Sequence, residues 1–285
     1  VLAPTSSNLQ LWEFYHITSK ETIAEMAPYC FHQNAAKTAK ELTKSDYLVM
    51  AGGVALNSVA NGKLLESKLF KDIWIQPAAG DAGGALGAAY LGWHLWKGEK
   101  RQVNNQSDAM KGAYLGPEFN NKDVLGVIRK YNAQYKYFKT FDELTKVVAE
   151  KISEGNVIGW FQGRMEFGPR ALGNRSILGD ARNPEMQKKM NLKIKYREGF
   201  RPFAPTVLEE DIQDYFVVNC PSPYMLHVIP VKEERLKKLP DDYREMELYK
   251  RLYQLRSDIP AITHIDFSAR IQSVNKNTNP KYWSL

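Results

Sequence analysis

The stretch EFGPRALGNRSIL, residues 166–178, decides how the rest of the chain is read. It sets Arg170 and Arg175 among glycines and a proline, with Arg164 just upstream. Gly168-Pro169 would break a helix interior, because proline lacks the N–H and clashes with the preceding turn. A core strand would not carry several guanidinium groups without partners. The stretch therefore reads as a loop that aims cations at an anion. Guanidinium forks bind phosphate and carboxylate oxygens in pairs and stay charged at any working pH. Gly163, Gly168 and Gly173 supply backbone freedom, and Pro169 stiffens the turn. The competing reading pairs Arg170 and Arg175 with Glu166 and Asp180 as internal ion pairs.

Working outward, residues 160–205 hold ten Lys and Arg against four Asp and Glu. The whole chain of 285 residues carries +7, so this window holds nearly all of the excess. A localised excess argues for an anionic ligand; the alternative is a solvated basic face. The loop is fed by NVIGWFQG (156–163), read as a buried strand. A helix is expected over 183–195, with Asn183 as cap and Pro184 in its first turn. FRPFAP (200–205) then fixes Arg201 beside two prolines. Strands are expected at 134–139, 203–208, 224–231 and, as one or two, over 261–274. Helices are expected over 122–132 and 141–155, the second stopped by Gly155. Residues 234–257 read as mostly helical, with a break at Pro240. This half is mixed α+β.

The first hundred residues alternate differently. Helices over 34–46, 57–68 and 83–98 enclose apolar strands at 47–53 and 72–78, a parallel α/β pattern. Asn57 is a natural N-cap for the second helix. Two strand-to-helix junctions, MAGGVALNS (50–58) and PAAGDAGGALGAA (77–89), carry glycines where backbone N–H groups and a helix dipole can hold phosphate. Asp81 can reach a metal ion or a ribose there, or simply cap the 83–98 helix. The aromatics of IGWFQG and YLGWHLW read as core, with His94 packed rather than catalytic. The polar run 97–112 suggests a first segment of 1–100, a linker of 101–112 and a second segment of 113–285.

Cys30 and Cys220 give neither a disulfide framework nor a metal knuckle, so the cytoplasm is the expected compartment. The five histidines form no HxxxH or HExxH pair. No apolar run approaches the ~18 residues of a membrane span, and the first residues lack the basic-then-apolar pattern of a signal peptide.

GRMEFGPRALGNRSILGDAR followed by MNLKIKYREGFRPFAPTV resembles the C-terminal, YrdC-like domain of the O-carbamoyltransferases of nodulation and antibiotic biosynthesis. MAGGVALNSVANGKL and PAAGDAGGALGAAY resemble the end of that family's first domain, an actin-like ATPase fold, and THIDFSARIQSVNKNTNPKYW also fits. The resemblance implies that carbamoyl phosphate and ATP give a carbamoyl-adenylate in the second domain. Its carbamoyl group would pass to the hydroxyl of a sugar or small-molecule acceptor in the first. It implies catalytic roles for Arg170, Arg175 and Arg201. It places Arg164, Arg197, Lys195, Asn191 and Ser176 on the donor or ATP, and Gly52, Gly53 and Asn57 on the nucleotide. Asp81 matches a ligand to a divalent metal, Mg or Fe. Family members carry a longer first domain with a histidine pair, so this chain is expected to be a piece of a longer protein with an incomplete metal site. The oligomeric state stays open, a homodimer included. Other classes also stay open: a YrdC-like RNA-binding module, a tRNA threonylcarbamoylation-type enzyme, or an actin-like kinase. Cations that converge through Gly/Pro turns, rather than lining one helix with aromatics, disfavour nucleic acid.

Overall fold

The computed structural model describes residues 20–102, 108–218, 220–243 and 245–285. Helix α1 (Lys20–Thr43) begins well before the expected helix and ends where Lys44 turns left-handed, φ 55. Strand β1 (Tyr47–Met50), helix α2 (Ser58–Glu66) and strand β2 (Asp72–Ile75) form the expected unit, with β1 and β2 parallel from Tyr47↔Asp72 to Met50↔Ile75. Asn57 caps α2, its side chain accepting from Ala60 N at 3.2 Å.

Helix α2 is pressed onto the second half of the chain. A Cβ on Gly62 would fall 2.3 Å from the carbonyl oxygen of Val228. Beside it, buried Asn61 donates from Nδ2 to Ala55 O at 2.8 Å and to Leu226 O at 3.0 Å. An unmet amide at this depth would cost about 1–3 kcal/mol, so the two carbonyls fix the seam between the halves.

Helix α3 (Asp81–Leu91) runs into a wide π-type turn at Gly92–Trp96. Here the core expectation is corrected. Trp93 is 50 % and Trp96 90 % exposed, and Tyr90 and Leu95 are exposed too. His94 is partly exposed; its Nδ1 lies 2.7 Å from Glu99 O and its ring stacks on Tyr90. A helix that is apolar all round announces burial without naming the neighbour, and none of its residues is fully buried here.

In the second half, α4 (Asn121–Tyr131) opens with a reciprocal cap between Asn120 and Asp123. Helix α5 (Phe141–Ser153) is capped by Thr140 and followed by Gly155 at φ 81. The strand expected at 134–139 is absent; Tyr135 and Tyr137 are exposed on a segment with no partner edge. Aromatic β-preference needs a surface to pack on. Strand β3 (Ile158–Phe161) pairs antiparallel with β4 (Arg175–Leu178). It buries Trp160 but exposes Phe161, so only one face is core, contrary to the fully buried strand expected. The helix after Asn183 starts three residues late, at α6 (Met186–Lys189), because Asn183 Oδ1 closes a turn on Glu185 N at 2.9 Å. It continues into a π-type turn, Met190–Ile194.

Strand β5 (Thr206–Leu208) lies parallel to β8 (Gln272–Val274), and β6 (Val228–Pro230) antiparallel to β7 (Ser268–Arg270). Among the described residues most of the helix expected over 234–257 is absent, and only turns at Glu233–Arg235 and Leu248–Leu252 are helical. Buried Arg256 donates to the carbonyls of Arg251, Leu252 and Thr263 and folds this segment onto the core. The main core gathers Met186, Met190, Phe216, Ile229, Ile262 and Ile271. Helix α7 (Pro280–Ser284), capped by Asn279, closes the described chain. The whole is a mixed α/β fold of helices and two-stranded sheets. Among the described residues no helix is long and apolar enough to cross a membrane.

Candidate functional site

The arginine loop is the connection of the β3–β4 hairpin, residues 162–174. A carboxylate organises it from inside. The Glu166 side chain is fully buried; its Oε1 accepts from Leu172 N at 2.5 Å and Asn174 N at 2.9 Å. Its Oε2 faces Arg175 Nε at 3.2 Å, and Arg175 Nη2 donates to Gly168 O at 2.5 Å. Between them Gly173 N donates to Ser176 Oγ at 2.9 Å. The N–H groups of residues 172 to 174 are thus all taken, by Glu166 or by Ser176. Ser176 serves the turn.

The far side of the loop is clamped by the C-terminal segment. Leu172 O accepts from Tyr114 Oη and Gln272 Nε2, both at 2.8 Å. Gln162, Asn174 and Asn279 close a ring of side-chain amides at 2.8–3.0 Å. Gly173 sits at φ 109 under the Tyr282 ring, where a Cβ would come within 2.2 Å of Cδ1. Burial pushes the Tyr114 and Tyr282 phenols up to about 12, which keeps both hydroxyls as donors.

At the other end the loop rests on the first segment. Gly168, φ 118, leaves room for only 3.0 Å between an added Cβ and that of Ala78. Arg170 Nη2 donates to Leu56 O at 2.9 Å. Leu56 and Ala78 belong to the junctions at the carboxyl ends of parallel β1 and β2, the edge where open α/β sheets take ligands. Gly52 and Gly53 are exposed with open space where a side chain would stand. Asp81 is exposed as the first residue of α3. Gly80 holds the cap position, so the capping alternative for Asp81 does not hold.

Three arginines, Arg170, Arg197 and Arg270, belong to this region. Arg197 donates from Nε to Asn191 Oδ1 at 2.7 Å and lies over the Phe203 ring at 5.0 Å. Asn191 itself is fully buried and holds the carbonyls of Gly199 and Arg201 at 3.1 and 2.8 Å, so it shapes the 197–201 turn. Arg270 ends β7 opposite Val228. Burial lowers Arg270 to about 10, and the charges of Arg170 and Arg197 push the same way. Burial also lowers Arg170, and lowers Arg197 together with the charge of Arg201, with Glu198 opposing. The Nε groups of Arg170, Arg175 and Arg270 are buried without a hydrogen-bond partner, that of Arg175 facing Glu166 Oε2 as an ion pair. Among the described residues Arg170, Arg197 and Arg270 have no carboxylate partner.

The predicted residues therefore divide. Arg170 and Arg197 each act on Arg270 through their charges, Arg175 turns inward to Glu166, and Arg201 pairs with Glu198 at 2.8 Å on the exposed rim. Arg164 sits away from them, 3.7 Å from Glu118 and 3.0 Å from Gly116 O. Lys195 is exposed and joins none of these contacts. Arg270 was missed. Its signal lay in Ser268-Ala269-Arg270-Ile271-Gln272, a cation set between two fully buried apolar positions. A neighbouring cavity of about 710 Å³ separates Asn57, Val59 and Lys63 from Phe200, Pro202, Arg256 and His264.

Residues 19–90 match the family described as Carbamoyltransferase N-terminus, and residues 149–285 match Carbamoyltransferase C-terminus. An uncharacterised protein of Synechocystis sp. is 55 % identical over 240 residues, covering 84 % of this chain and 39 % of that protein. Nodulation protein NolNO of Sinorhizobium fredii is 39 % identical over 248 residues, 86 % of this chain and 33 % of its own. The 3'-hydroxymethylcephem-O-carbamoyltransferase of Streptomyces clavuligerus is 29 % identical over 255 residues, 90 % of this chain and 42 % of its own. The chain thus spans about two fifths, or less, of the length of these relatives. With both parts of one family matched in order along it, the chain belongs to the carbamoyltransferase family.

Proposed function

We propose that Arg170, Arg197 and Arg270 bind the phosphate of carbamoyl phosphate, and that the longer protein transfers the carbamoyl group to an acceptor hydroxyl through a carbamoyl-adenylate. The observation that carries this is buried Arg270, which feels the charges of both Arg170 and Arg197, with none of the three in an ion pair among the described residues. Cations held together in a low dielectric are costly alone, and a dianion relieves all three at once. Donors fixed before the ligand arrives also stabilise charge that develops as the acyl–phosphate linkage breaks. Release of both phosphate and pyrophosphate requires one water in the balance. Water and carbamoyl phosphate give carbamate and phosphate; a carbamate oxygen then takes the α-phosphorus of ATP, and pyrophosphate leaves. The acceptor oxygen finally attacks the carbamoyl carbon and AMP departs.

Gly52, Gly53 and Asn57, at the open ends of β1 and β2, are the proposed nucleotide contacts, and Arg201 and Lys195 supply cations at the rim. Asp81 is a single exposed carboxylate. Among the described residues no three His, Cys, Asp or Glu gather to hold a metal, so no step is assigned to one.

Calorimetric titration with carbamoyl phosphate tests the reading. Saturable binding with a shallow salt dependence, lost in Arg170→Ala, is expected. Binding unchanged by that substitution would make the loop structural, and a steep salt slope with RNA in place of the small anion would favour the nucleic-acid reading.

A further inference from the structure

The loop contains two arginines of similar sequence setting, yet the structure treats them oppositely. Arg175 is consumed: one nitrogen faces Glu166 and another donates to Gly168 O. Arg170 spans from the loop apex to Leu56 O and, unlike Arg175, has no carboxylate within ion-pair distance among the described residues. What separates them is the buried carboxylate of Glu166. A carboxylate with no solvent contact must be met by donors, and this one draws in Leu172 N, Asn174 N and the Arg175 guanidinium. Those three contacts tie residue 166 to residues 172–175 and force 168–171 outward as a bulge. Gly168 at φ 118 and Gly173 at φ 109 supply the reversals at its two ends. Arg175 then pins the bulge by its bond to Gly168 O, on the peptide that rests against Ala78.

We infer that Glu166 is a positioning residue of the anion site. Its buried carboxylate holds Arg175 and the loop backbone so that Arg170, and not Arg175, is presented to the ligand. The inference rests on the proposed reading of the arginine cluster as the carbamoyl phosphate site. Arg175, expected from sequence to be catalytic, is on this account part of the frame.

The test uses carbamoyl phosphate titrated into the wild-type chain, Glu166→Gln, Arg175→Gln and the double variant, each first checked for folding by circular dichroism. Glutamine at 166 keeps a carbonyl oxygen for the two loop N–H groups but turns a neutral group toward Arg175. Each single variant is expected to bind at least tenfold more weakly. The double variant, a neutral pair of matching shape, is expected to recover most of that loss, because Arg175 acts only through Glu166. Should the double variant bind more weakly than either single one, Arg175 touches the ligand itself and the inference is overturned. Wild-type affinity in Glu166→Gln overturns it as well. If Glu166→Gln does not fold, Arg175→Gln decides: its guanidinium is one-third exposed, and normal binding without it removes the frame. No binding by the wild-type chain, or by the full-length protein, would instead reject the anion-site reading beneath it.

Discussion

Replacing Arg270 by methionine should stabilise the folded chain while abolishing its response to phosphate. The ordinary arginine value of 12.5 falls to about 10 in the fold, first through burial and then through Arg170 and Arg197. At about 1.4 kcal/mol per pH unit, that shift corresponds to about 3 kcal/mol against the buried cation. Neutral pH lies far below both values, so the side chain is charged in the folded and the unfolded chain alike. The fold therefore carries the whole penalty, which would ease only as pH rises through about 10. Methionine fills a similar volume without charge, and the backbone pairing of Arg270 with Val228 is untouched. Residual solvent contact and lost packing reduce the gain to about 1–3 kcal/mol, or a rise in Tm of several degrees at about 2–4 °C per kcal/mol. Thermal melts with and without millimolar inorganic phosphate read both effects. The wild-type Tm should climb with phosphate, since a ligand of the native state stabilises it; the variant should start higher and not move. A variant that melts below wild type without ligand, or that keeps the full phosphate response, would refute the reasoning.

Two more predictions concern the surroundings of the site. Gly173→Ala would add a Cβ within 2.2 Å of the Tyr282 ring at a backbone φ of 109. Backbone strain and overpacking together should cost about 2–5 kcal/mol, read as a drop in the urea midpoint; a wild-type midpoint would mean that α7 does not clamp the loop. His264 is held below the ordinary 6.5, mainly by burial, with Asp266 opposing and Arg270 and Arg256 adding to it. Below pH 6.5 the unfolded chain therefore binds more protons than the folded one, and stability is lost as pH falls. His264→Gln should flatten the decline in Tm between pH 7 and about 5 relative to wild type, and parallel curves would contradict this.

How much could be read from the sequence depended on whether the signal was local. The β1–α2–β2 unit was legible because short apolar runs end in glycines and Asn57 supplies a cap within three residues. Gly155 likewise announced the end of α5. The segment 234–257 misled because its helical spacing is local, whereas buried Arg256 binds carbonyls up to seven residues away and bends the chain back. Residues 134–139 and the aromatics near Trp96 failed for a common reason: apolar side chains state a preference for burial, and only the fold decides whether a partner surface is there. Within the candidate site, the Gly/Pro/Arg composition of 163–175 exposed the loop. Spacing could not show which arginine faces inward, because that depends on where the Glu166 carboxylate points. Arg270, a hundred residues downstream and set in a strand between two core positions, carried no motif of its own.

The resting of the arginine loop on Leu56 and Ala78 bears on how such chains can be recombined. Family profiles divide the protein into two parts, which suggests modules that relatives could trade. A crossover placed in the polar stretch near residue 101 would marry one parent's arginine loop to another parent's support, where a side chain at position 168 would already crowd Ala78 at 3.0 Å. A working hybrid would have to carry residues 52–80 and 162–175 from the same parent. The inheritable unit is this pair of loops, drawn across the boundary that the family division suggests.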